Sequence, residues 1–189
     1  MDLRALDVPI HCRFRPMGEE VPVELALTLF APADGTRTDY CGDVVFDIIL
    51  TVRFPGWQVT LFANVYAKDL AVFADKLDIL RTTSQGTATL YDWDFQSSIS
   101  FRPDTEEGTV RVYIRYYNGL TDMSPDPEYA DLFDGSWAVV VGVQGLVVDR
   151  ADLSDIISRL RTQQQVSSWR PATKDERPRL AGWEQQPLE

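Results

Sequence analysis

The strongest constraint on the fold lies in residues 43–80, where the hydrophobic period changes from two to about 3.6 with no linker between the two regimes. Phe46, Ile48, Leu50, Val52 and Phe54 alternate with Asp47, Ile49, Thr51 and Arg53. That is the pattern of a strand with one buried face. Pro55 and Gly56 end the run and supply turn geometry, because proline fixes φ and glycine tolerates a positive φ. Trp57, Val59, Leu61, Ala63 and Val65 then alternate with Gln58, Thr60, Asn64 and Tyr66, which predicts an antiparallel hairpin. After Ala67 the spacing becomes helical. Leu70, Phe73, Ala74 and Leu77 fall at i, i+3, i+4 and i+7, opposite Lys68, Asp69, Asp75, Lys76 and Asp78, so an amphipathic helix is expected to lie on the sheet.

The rest of the chain extends this α+β pattern. Val21 to Phe30 reads as a strand, and Ala31 to Gly42 as a polar connection. Beyond the helix, Arg81 to Gly86 is expected to be a loop with Gly86 as the stop, followed by short strands over Thr87–Trp93 and Phe95–Arg102. A charged turn, Pro103 to Gly108, leads into a strand in which Val110, Val112, Ile114 and Tyr116 alternate with Arg111, Tyr113, Arg115 and Tyr117. Trp137 starts an apolar strand that continues through Gly145 to Val148. A second amphipathic helix carries Leu153, Ile156, Ile157 and Leu160, with Asp149 as its expected N-cap.

The expected architecture is an antiparallel sheet with two amphipathic helices packed on one face. The pattern also admits a duplicated βββα unit, since Asp69-Leu70 and Asp152-Leu153 open similar apolar stripes. Residues 1–20 lack an evident period and are expected to form an N-terminal arm or irregular edge. Residues 21–165 would form the α+β domain, and 166–189, broken by Pro171, Pro178 and Pro187, an extended tail carrying Trp169 and Trp183.

Charge narrows the partners. A formal net charge of −11 and a pI near 4.5 argue against direct nucleic-acid binding, which needs clustered Lys and Arg, and leave either simple solubility or a basic protein partner as the reading. Asp2, Arg4 and Asp7 interrupt any secretory core, and the apolar stretch Trp137–Val148 is too short to span a bilayer. A soluble, cytoplasmic protein is expected, with Cys12 and Cys41 reduced.

Catalytic inventories are thin. His11 is the only histidine, which excludes multi-histidine metal sites within one chain. His11 and Cys12 are adjacent and point apart on an extended segment, so Cys41 is the better thiol partner for that imidazole. Neither a phosphate-binding glycine loop nor a nucleophile elbow occurs. Asp92 and Asp94 flank Trp93 and suit either a shared cation or proton, or a plain bracket around a tryptophan. The connection from Asn118 to Gly135 carries Asp122, Asp126, Glu128, Asp131 and Asp134 without a basic residue. It lacks the alternating ligands and glycine of an EF-hand loop, so calcium ranks behind both a solvated loop pinned to the domain by its apolar residues and a protein contact. No cofactor, metal or catalytic residue is assigned.

The order of hairpin, Asp-Leu-containing helix, further strands and terminal helix, over Trp57–Leu80, Ser98–Pro103, Val110–Tyr117 and Trp137–Leu160, resembles small bacterial domains related to WapI-type immunity proteins of toxin systems. The resemblance covers most of the domain and implies no catalytic residues. It suggests a non-enzymatic protein-binding domain, extending to an immunity or antitoxin-like factor that occludes a basic partner. The candidate contact residues are Asp126, Glu128, Tyr129, Asp131, Phe133 and Asp134 in the acidic connection, and Arg111, Tyr113, Arg115 and Tyr117 on the strand. The alternative is a small-ligand or lipid-like binding module with a cavity between sheet and helices, lined by Trp57, Phe62, Tyr113 and Trp137. Homo-oligomerisation stays open.

Overall fold

The alternation in residues 45–66 forms the hairpin it predicts. The computed structural model describes residues 3–15, 20–34, 37–92, 97–118, 138–173 and 176, apart from the side chains of residues 57, 117, 118 and 138–142. The strands are β1 (Leu3–Phe14), β2 (Val21–Pro32), β3 (Val45–Phe54), β4 (Trp57–Tyr66), β5 (Ala88–Tyr91), β6 (Ser97–Pro103), β7 (Thr109–Asn118), β8 (Ala138–Asp149) and the two-residue β9 (Arg170–Pro171). The helices are α1 (Ala67–Thr83) and α2 (Leu153–Arg161). The strands form one antiparallel sheet in the order β4-β3-β2-β1-β8-β7-β6-β5, with β9 added beside β1.

Each helix follows a run of four strands, not the three expected from the sequence, and β1 joins the two runs by pairing with β8. The N-terminal segment is therefore not an arm: β1 sits at the middle of the sheet. Leu6, Val8, Ile10 and Cys12 form its core-facing side, alternating with Asp7, Pro9 and His11. Pro9 is accommodated because β8 meets β1 further along, at Arg13 and Phe14, so no ladder on that side loses a donor. Between these points α2 packs on β1, and Arg159 Nη1 donates to the Asp7 carbonyl at 3.3 Å.

The junction with β8 depends on a bulge. Val112 pairs with Leu146 and Ile114 with Val143, so Gln144 and Gly145 lie opposite one residue of β7. Gly145 has φ +84°, and its carbonyl accepts from Arg15 N at 3.0 Å. The bulge turns β8 so that Leu146 and Val147 reach β1.

Both helices pack on one face. Leu70, Phe73, Ala74, Leu77 and Leu80 of α1 and Leu153, Ile156, Ile157 and Leu160 of α2 are buried in one core with the inward residues of the sheet. Phe73 meets Phe101 with ring centroids 5.8 Å apart. Each fully buried Leu or Phe contributes about 1.5–3 kcal/mol, so these stripes, not capping, hold the helices. Neither helix has a side-chain cap, and Asp149 pairs with Arg13 at 2.5 Å instead of capping α2. Helix α1 also runs past its expected end. The hydroxyls of Thr82 and Thr83 each bond to a carbonyl one turn back, at 2.8 Å, and Ser84 takes the left-handed conformation at φ 57°, two residues before Gly86.

The start of the expected tail belongs to the fold. Trp169 is buried against Phe46, ring centroids 5.3 Å apart, and Ala172 N donates to the Leu3 carbonyl at 3.0 Å. Trp183 lies outside the described residues. No helix among the described residues is long and apolar enough to cross a membrane.

Candidate binding surface

Strand register sorts the helix-free face of the sheet into rows. Across β1 to β4 these are His11, Glu24, Arg53 and Gln58; then Pro9, Ala26, Thr51 and Thr60; then Asp7, Thr28, Ile49 and Phe62. The middle row is small and uncharged, and the rows on either side are larger. A groove of about 590 Å³ results, floored by Pro9, Ala26 and Thr51 and extending to Phe30 and Glu176. At its apolar end Phe30 and Ile49 pack with Ala5 and Ala172.

Both walls are organised by charge. Arg53 Nε donates to Gln58 Oε1 at 2.9 Å and Arg53 Nη1 to Glu24 Oε2 at 3.3 Å. On the other side Arg170 Nη2 donates to Asp7 Oδ1 at 2.7 Å and to Glu176 Oε1 at 2.8 Å, while Thr28 Oγ1 reaches Asp7 Oδ1 at 3.1 Å. The Arg170 guanidinium, with the backbone N–H of Thr173, holds the Glu176 carboxyl down to about 2 against the opposing effect of burial. The groove thus presents fixed charges of both signs around a neutral floor.

A second feature occupies the same face further along. Arg102, Arg111, Val147 and Arg13 form one row across β6, β7, β8 and β1. Arg111 pairs at 2.5 Å with Asp104, whose side chain is 3 % exposed. Burial would raise Asp104, but the Thr105 N–H and the charge of Arg111 outweigh it and leave its pKa lowered. The Arg102 guanidinium lies 5.4 Å from the centre of the Tyr113 ring, a cation–π geometry.

The structure brings Arg111, Tyr113 and Arg115 to this half-buried face, as the alternation in β7 predicts. The Tyr117 side chain and all of Asp126, Glu128, Tyr129, Asp131, Phe133 and Asp134 lie outside the described residues, as do Asp94 and Trp137. No single stretch of sequence marks the groove: Pro9, Ala26 and Thr51 are ordinary residues until register aligns them.

Of the four residues expected to line a cavity between sheet and helices, the side chains of Trp57 and Trp137 lie outside the described ones, and the other two do not face that space. Phe62 and Tyr113 point to the helix-free face, because their sequence neighbours Leu61, Val112 and Ile114 fill the core. A void on the helix side, near Leu61 and Leu90, holds about 30 Å³, far below the hundreds of Å³ of ligand pockets. The His11–Cys41 pairing also fails on geometry. His11 sits in the Glu24–Arg53 row near the Pro55-Gly56 turn, whereas Cys41 lies in the β2–β3 connection at the opposite end of those strands. Cys12 is buried among apolar side chains, which pushes its thiol up to about 12. Asp92 accepts from Ser97 Oγ at 3.0 Å across the β5–β6 connection. Among the described residues no three His, Cys, Asp or Glu side chains are grouped to hold a metal ion.

Comparison with known protein families, curated proteins and solved structures returns no match for this chain.

Proposed function

We propose that the protein is a non-enzymatic binding domain that docks another protein on the helix-free face of its sheet. The observation that carries this reading is the groove of about 590 Å³, with its neutral floor and walls of both charge signs. Such a trough suits a polypeptide segment, whose backbone is polar and whose side chains alternate in character. The half-buried Arg111, Tyr113 and Arg115 extend the surface beyond the groove, and arginine and tyrosine are common binding anchors. The net charge of −11 favours encounter with a basic partner. In the immunity-like version of the proposal, the domain acts in the cytosol by covering the partner's functional surface.

The test is affinity capture at low salt with the wild-type protein and with Thr51→Trp, which fills the groove floor. A basic protein retained by the wild type, eluted by moderate salt and lost with the variant supports the proposal. Equal retention by both proteins refutes it.

The groove volume also suits a small zwitterionic or charged ligand, since such pockets span about 300–1,000 Å³. Native mass spectrometry separates the two readings. A small molecule carried by the wild type and absent from Thr51→Trp favours the ligand.

A further inference from the structure

The two edges of the sheet are built differently. Strand β5 is four residues long, and short edges resist pairing with other chains. Strand β4 is ten residues long, pairs with β3 without a register break, and contains neither proline nor a charged residue. The common ways of blunting an edge, by lysine, proline, bulge or brevity, are all missing along it.

Its hydrogen-bonding groups have a definite direction. The Pro55-Gly56 turn leaves Phe54 and Trp57 directly opposed, the hydrogen-bonded pair that closes a two-residue hairpin. By alternation, the odd positions of β4 bond inward to β3. Gln58, Thr60, Phe62 and Asn64 direct N–H and C=O outward, where among the described residues no strand accepts them.

We propose that β4 is a dimerisation edge, on which a second copy of this chain pairs antiparallel about a two-fold axis at Phe62. Two observations select a second copy. The strand is uncharged in a chain of net charge −11, so like molecules meet here with the least repulsion. Phe62, one of the few large apolar side chains that are exposed among the described residues, at 37 %, lies at the centre of the strand and would meet its own equivalent. About that axis Thr60 opposes the partner subunit's Asn64. About six backbone hydrogen bonds would form, within the range of specific interfaces. An axis perpendicular to the sheet keeps both helix-free faces on one side, so the dimer would present two grooves in the same direction.

Sedimentation equilibrium over a concentration series tests the edge and its register together. The wild type is expected to dimerise reversibly. Thr60→Asp/Asn64→Lys places opposite charges across the axis at two equivalent positions and should retain the dimer, with greater salt sensitivity. Thr60→Lys/Asn64→Lys places like charges there and should weaken association by about tenfold or more. Phe62→Lys tests the axis independently of the other two and should also yield monomer. Circular dichroism confirms that each variant is folded. A monomeric wild type throughout the series overturns the proposal, as does a dimer indifferent to the like-charge pair and to Phe62→Lys.

Discussion

Arg170 Nη2 lies 2.7 Å from Asp7 Oδ1, which ties the end of the described chain to the central strand 163 residues earlier. The same guanidinium holds Glu176 at 2.8 Å and 3.0 Å, so one arginine connects β9 to β1 and forms one wall of the groove. Glu176 has its folded pKa depressed from 4.5 to about 2, mainly by the Arg170 hydrogen bonds. A carboxyl depressed on folding contributes stability that is fully present above its unfolded pKa and is lost as pH falls through the folded one. Its side chain is 23 % exposed and that of Arg170 35 %, so solvent screening limits the contribution to about 1 kcal/mol. Glu176→Gln should therefore be less stable than wild type by about that amount at neutral pH. The difference should shrink between pH 4.5 and about 2, as paired urea titrations at several pH values would show.

Gly145 is the residue on which the joining of the two strand runs depends most directly. A Cβ at this position would stand 3.2 Å from Phe14 Cε2, and the backbone holds φ +84°. Gly145→Ala should cost about 1–2 kcal/mol from the left-handed conformation, before any displacement of Phe14. Urea unfolding measures the loss. Hydrogen exchange should place the faster opening in residues 13–15 and 146–147, where β1 and β8 meet.

The two cysteines should differ sharply in reactivity. Cys12 is 5 % exposed with its thiol pushed up to about 12 by burial, whereas Cys41 is exposed in a connection shaped by Asp39, whose Oδ1 accepts from Cys41 N at 2.8 Å. An aromatic disulfide reagent should titrate one thiol promptly in the native protein and the second on unfolding. Cys41→Ser should abolish the prompt phase. Rapid labelling of two thiols in the folded state would mean that the β1–β2 core opens more readily than its packing implies.

Much of this fold is legible wherever one face of an element alone is apolar. The α1 and α2 stripes and the β3–β4 hairpin follow from period alone, because each element buries one side in the shared core. The N-terminal strand is harder to read. Leu6, Val8, Ile10 and Cys12 do alternate with polar neighbours, but Pro9 argues against a central strand until the divergence of β8 from β1 is known. The end of α1 is obscured for a local reason, since threonines that bond back to carbonyls one turn earlier let a helix continue where composition suggests a loop. The groove is a property of register across four strands, and no single segment carries its signature. Arg111, Tyr113 and Arg115 were readable because their alternation within β7 already assigns them a face.

That assignment separates into two kinds of residue, which mutation should distinguish. Arg111 neutralises Asp104, whose side chain is nearly inaccessible, and removing it leaves a buried carboxylate with one partner fewer. Arg111→Met should destabilise the fold by about 1–3 kcal/mol. Because the Asp104 pKa is lowered in the folded state, the stability tied to this pair is present above the ordinary carboxylate range and fades as pH falls through the lowered value. The deficit of Arg111→Met should accordingly narrow on acidification, whereas a purely steric defect would persist at every pH. Tyr113→Ala and Arg115→Ala remove half-buried side chains of the same face without taking Arg111 from Asp104, so they should weaken capture of a partner with smaller changes in melting temperature. If Tyr113→Ala and Arg115→Ala leave capture intact while Thr51→Trp abolishes it, the contact surface ends at the groove and does not extend to β7.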